Sequence, residues 1–220
     1  METPVHPPSA TTALPPGQFT VSRPILYAIF FLSGVSALIY QLVWQRALLT
    51  IFGSNVESAA IVVSSFMVGL GVGSLVGGWV SENSKVPLLL AFSVAEFAIG
   101  ACGLVSLEVF HAAGRAVSGG SIVQTGTVCF LLLLVPTLFM GSTLPLLVTH
   151  HVRSMKNTGK SVSWLYFVNT LGAAAGCVVA AVICLTFFGM KGTVRTAAAL
   201  NLLAALLMFV NWMKERRAAA

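Results

Sequence analysis

The stretch FMVGLGVGSLVGGWVS, Phe66–Ser81, holds no charged residue and repeats small side chains at a fixed interval. Ser65, Gly69, Gly73 and Gly77 recur every four residues, which places them on one face of a helix. In water, glycine costs a helix interior about 1 kcal/mol relative to alanine. In a bilayer the same residues let helix backbones approach closely and gain van der Waals contact. The apolar run extends without charge from Ser58 to Ser81. That is enough for the roughly 20 residues that cross a hydrocarbon core. Gly69, Gly71 and Gly73 do not make a dinucleotide loop, because they follow no strand and lie inside the apolar run.

Further windows of this kind lie on both sides. The first span falls within Pro24–Gln45 and the second within Ser58–Ser81. The third runs over Val86–Val109, the fourth within Ala116–Val152, the fifth within Ser161–Met190 and the sixth within Thr196–Met213. The sequence thus predicts an all-α, polytopic bundle of six transmembrane spans. Pro136 and Pro145 fall in the fourth window and predict a kink or an interfacial end there. Composition agrees: 57% of the 220 residues are apolar and 8% are charged, against about 25% charged in an average soluble domain. There is no Asp. The net charge of +6 comes from scattered basic residues, which suits an anionic bilayer surface and no nucleic acid.

Residues 1–22 are rich in Pro, Thr and Ser and read as a disordered cytoplasmic tail. Residues 23–214 form the six-span domain, and 215–220 a short cytoplasmic tail. With six spans, Arg23, Lys85, Arg153, Lys156, Lys160, Lys214, Arg216 and Arg217 share one side. Arg46, Arg115, Lys191 and Arg195 share the other. The basic excess predicts both termini in the cytoplasm of a bacterial cytoplasmic (inner) membrane protein. Cys102, Cys129, Cys177 and Cys184 lie in apolar segments without C-x-x-C spacing, so they read as small core residues.

Gly172 and Gly176, with Ala180, repeat in the fifth span the four-residue spacing of Gly69, Gly73 and Gly77. These faces read as helix-packing surfaces, or as the matching elements of two three-helix repeats about a pseudo-two-fold axis. Ionisable residues at membrane depth are candidates for function. Glu96, flanked by Phe92, Val94, Ala95 and Phe97, is the foremost of them. It reads as a substrate-path carboxylate or as a structural hydrogen-bond partner of a neighbouring helix. Tyr40 and Trp44, near the end of the first span, fit an interfacial aromatic belt. Gln41 and Gln45 lie one turn apart and would line a polar path, with Tyr40, Arg46 and Asn169 beside it. Arg46 would otherwise snorkel to the interface. Glu57 reads as a helix-start residue. His150 and His151 read as headgroup contacts rather than metal ligands. No nucleophile–base–acid set, phosphate loop, metal-ligand set or cofactor site is legible, so the chain reads as non-enzymatic.

Several separated stretches carry a resemblance. FLSGVSALIYQLVWQRALLTIFGS (Phe31–Ser54), FMVGLGVGSLVGGWVS, PTLFMGSTLPLL (Pro136–Leu147), LYFVNTLGAAAG (Leu165–Gly176) and GTVRTAAALNLL (Gly192–Leu203) occur in order. Together they resemble the membrane region of the bacterial fused spermidine synthase-like proteins. The resemblance implies a major-facilitator-like membrane module, typically joined to a cytoplasmic aminopropyltransferase-like domain. The Gly-rich loop and acidic residues of that domain have no counterpart here. Polyamine aminopropyltransferase activity therefore ranks last. The reading that leads is a transporter-like module for a small solute, a polyamine or other cation, or an anchor for a soluble protein. A membrane scaffold or assembly subunit is the alternative. The partners it implies are the lipid bilayer, a second copy in a homodimer, and a separately encoded cytoplasmic synthase-like protein.

Overall fold

A computed structural model describes residues 21–53, 55–117, 120–155 and 158–218. Most of the Pro-rich tail (residues 1–20) lies outside the described residues, as do Lys156 and residues 219 and 220. The described chain is helical: α1 (Arg23–Phe52), α2 (Asn55–Glu82), α3 (Leu88–Ala116), α4 (Ile122–Met155), α5 (Thr158–Val179), a π-helical segment Ala180–Cys184, and α6 (Leu185–Ala218). Among the described residues, five helical stretches are long and apolar enough to cross a membrane. The last of these is the 60-residue run Gly159–Ala218. The chain is built as an integral membrane protein. Its outer surface matches, with Met67, Leu75, Trp79, Phe97, Phe167 and Phe187 among the exposed side chains.

Contacts fix the helix directions. Along α1 and α3, Phe30 meets Phe92, Ser33 meets Glu96, and Trp44 meets Ser106. Both numbers rise together, so the two helices are parallel. Tyr27 with Trp164, and Val35 with Gly176, make α1 and α5 parallel too. In contrast, Ser93 donates to the Ala205 carbonyl at 2.7 Å, and Gly100 lies against Ala198. After Gly189, then, α6 runs antiparallel to α3. The 60-residue stretch doubles back at Gly189, whose backbone (φ 62°, ψ −175°) is not helical. That conformation is essentially restricted to glycine.

The small-residue faces are packing faces. A Cβ on Gly73 would strike the Leu138 backbone, and one on Gly77 would lie 2.6 Å from the Ser142 carbonyl. Gly69 is closed over by Thr137. Thus α2 lies on α4, its most extensive partner. Gly172 and Gly176 meet the Phe31 and Val35 backbones in the same way, so α5 lies on α1. Exchanging α1 with α4, α2 with α5 and α3 with α6 converts the α2–α4 pair into the α5–α1 pair. It also leaves the α3–α6 pair in place.

Helix α4 continues through both prolines. Beside the first, the Thr137 hydroxyl lies within hydrogen-bond distance of the carbonyls of Leu133, Leu134 and Ser65. One hydroxyl of α4 thus faces carbonyls of its own preceding turn and of α2 beside the kink-prone site.

Candidate functional site: a polar cavity over a buried carboxylate

Glu96 is the ninth residue of α3 and is wholly buried. Two neutral donors hold it. Ser33 Oγ of α1 donates to Oε1 at 2.5 Å, and Asn201 Nδ2 of α6 donates to Oε2 at 2.5 Å. The carboxyl group therefore ties three helices together. Ser36 of α1 donates to the Ser33 carbonyl at 2.9 Å. Asn201 is 1% exposed, and its Oδ1 has no hydrogen-bond partner among the described residues.

On the far side of Ser33 and Asn201 lies a cavity of about 430 Å³. Binding sites for small molecules commonly measure about 300–1,000 Å³. Helices α1, α2, α4 and α5 form its walls, and α6 contributes Asn201. Ser33, Gln41, Ser74, Thr143, Asn169 and Asn201 supply polar groups. Phe30, Leu38, Phe66 and Met140 supply much of the remainder. Among the described residues, the lining carries no charged side chain. Leu70, Gly71 and Tyr166 at its edge are exposed, so the cavity opens between α2 and α5.

The sequence-predicted residues separate here. Gln41 and Asn169 line the cavity, and Glu96 sits one layer behind its wall. Gln45, Arg46 and Tyr40 are not in the lining. Arg46 is exposed and Gln45 partly so. The aromatic belt is a correction. Tyr40 and Trp44 are both 0% exposed and stack at 4.9 Å between ring centroids. Trp44 Nε1 donates to Ser106 Oγ at 3.0 Å, and the Tyr40 ring fills the space beside Gly103. The two rings anchor the main core, with Phe66 and Phe110 against Trp44. The reason is length: α1 continues to Phe52, so a residue near the predicted end of the span lies two turns inside the helix.

His151 is a second correction. It is 2% exposed and within hydrogen-bond distance of the Tyr27 hydroxyl (3.1 Å), with Trp164 stacked on the other side of Tyr27. This cluster sits just past the Phe30–Leu144–Tyr166 end of the cavity. Glu57 lies in the first turn of α2, as a helix-start residue should. Cys129 and Cys184 are buried, Cys102 and Cys177 partly so, and all four are free thiols.

Ser33 and Asn201 are the functional candidates that sequence reasoning missed. Asn201 carried a usable signal, as the lone amide within the apolar run Thr196–Val210. Comparison with protein-family models, with curated proteins and with solved structures finds no match to this chain.

Proposed function

We propose that the chain is a six-crossing, non-enzymatic protein of the bacterial cytoplasmic membrane, with both termini cytoplasmic, whose cavity passes a small solute. The observation that carries this reading is the polar cavity midway along α1, α2 and α5, lined by Gln41, Asn169, Ser33 and Asn201 over the buried Glu96. Uncompensated polar groups at membrane depth are costly, and they mark solute pathways in membrane bundles. The count of six follows from length. As one helix, Gly159–Ala218 would measure about 90 Å, roughly three times the hydrocarbon thickness. Two crossings that turn at Gly189 fit it. The paired exchange of α1–α3 with α4–α6 supports two three-helix repeats, which is the plan of many transporters. The resemblance to the membrane region of fused spermidine synthase-like proteins points the same way, as does the excess of basic residues on the terminal side.

A second copy is the partner this reading favours. On α2 beyond the cavity mouth, Gly78 has nothing near where a Cβ would stand, and Leu75 and Trp79 beside it are exposed. Faces of this kind receive a neighbouring helix in membranes. A separately encoded synthase-like protein would dock at the cytoplasmic end. One observation favours the scaffold reading instead: both Glu96 oxygens already hold donors, as a structural cross-tie would.

Proteoliposomes decide between them. Uptake of a panel of labelled amines, putrescine and spermidine among them, and neutral solutes is measured for the purified chain and for Ala37→Trp, which fills the cavity. Flux that the bulky variant abolishes while retaining its thermal stability supports the solute path. Absence of flux for every solute supports the scaffold.

A further inference from the structure

Glu96 determines what its two partners can offer a ligand. Ser33 spends its only hydroxyl hydrogen on Oε1, so its remaining hydrogen-bonding capacity is that of an acceptor. Asn201 directs its amide nitrogen at Oε2, and its unsatisfied polar atom is the acceptor Oδ1. This atom is buried on a residue that lines the cavity, so a ligand donor meets it only if the amide turns toward the cavity. The wall beside Glu96 therefore offers two acceptors, Ser33 Oγ and Asn201 Oδ1, alongside the second amide hydrogen of Asn201, and is backed by a carboxyl group. The rest of the lining sets apolar side chains beside the neutral Gln41, Ser74, Thr143 and Asn169 and, among the described residues, carries no carboxylate and no basic side chain.

We propose that the cavity binds a solute with a single ammonium group on an apolar body, the ammonium lying against Ser33 and Asn201. The proposal rests on the solute-path reading and names its substrate class. An ammonium group is all donor and no acceptor, which matches the Ser33 and Asn201 oxygens. Its charge is compensated by Glu96 across one layer of side chains. An anion would face that carboxylate and two acceptors. A polycation would bring further charges for which the uncharged remainder has no counter-ion, and an unpaired charge away from water is strongly disfavoured. Of the polyamine and other cations that the sequence reading allowed, this favours a monocation.

The test is equilibrium binding to the full chain in lipid nanodiscs, by calorimetry. Four probes are used: phenethylammonium, the neutral 2-phenylethanol, the anion phenylacetate, and spermidine. The expected result is phenethylammonium binding tighter than each of the others by at least roughly tenfold, or about 1.4 kcal/mol. In Glu96→Gln the preference over 2-phenylethanol should collapse to within about twofold, a residual of under half a kcal/mol. Equal binding of the ammonium and the alcohol overturns the proposal, as does tighter spermidine. The wild-type series decides this even if the variant does not fold. Flux of neutral solutes without ammonium preference would overturn this inference and leave the solute path standing. No binding by any probe, with no flux, would overturn both.

Discussion

Glu96 stands at a junction, and its neighbours are the residues to vary. Replacing Asn201 with Leu leaves one carboxylate oxygen without its donor and cuts the tie between α3 and α6. The loss should be about 0.6–1.7 kcal/mol, the range of interhelical hydrogen bonds in membranes, read as reduced unfolding free energy in mild detergent. Ser106→Ala removes the acceptor of the buried Trp44 indole and should cost about 1 kcal/mol in the same assay. Glu96 was legible in the sequence because it is the single Asp, Glu, Lys or Arg between Lys85 and Glu108. Its partners were not, because one sequence carries no rotational register between helices. Ser33 lies sixty-three positions from Glu96 and Asn201 lies one hundred and five. Tyr40 and Trp44 misled for a related reason. Apolarity fades near Gln45 and Arg46, yet the helix continues to Phe52, and only the third dimension shows both rings under α3.

At the scale of elements, spacing identified the packing faces but not what they pack on. Glycines four residues apart predicted close approach in α2 and α5, and both faces make it. That α2 meets α4 while α5 meets α1 follows from tertiary contacts alone. The contrast within α2 is a direct test. Gly73→Ala drives a methyl group into the Leu138 backbone and should destabilise by about 1–3 kcal/mol. Gly71→Ala, two residues away, meets nothing within 4 Å and should leave monomer stability unchanged. Thermal unfolding of the two variants side by side measures the difference. Gly189 tests the reversal. No atom crowds it, but its backbone angles are open only to glycine. Gly189→Ala should therefore cost about 1–3 kcal/mol through backbone strain alone.

For the molecule as a whole, the crossing pattern makes a sided prediction. A tag at either terminus should be reached from the cytoplasm, and the turn at Gly189–Lys191 from the opposite face. Single cysteines at Lys214 and Lys191, labelled in right-side-out and inverted vesicles, would read this. Composition and the apolar windows made the membrane class legible, because so few charges cannot cover a soluble surface. The fifth and sixth windows merged in the structure into one long helical run, since the chain turns through a single glycine without an intervening loop. The cavity was half legible: Gln41 and Asn169 were read as path residues, whereas its depth and its opening between α2 and α5 depend on how four helices meet.

A solute path requires that water and solute reach this cavity. Substituted-cysteine accessibility tests it most directly, in a background where the four native cysteines are replaced by alanine. Cysteines at Gln41, Ser74 and Asn169 should react with a small, membrane-impermeant, charged thiol reagent, and a cysteine at the lipid-facing Val72 should not. Labelling at the first three and protection by phenethylammonium are the predicted result. Three positions as inert as Val72 would show a cavity closed to water, and would contradict the account.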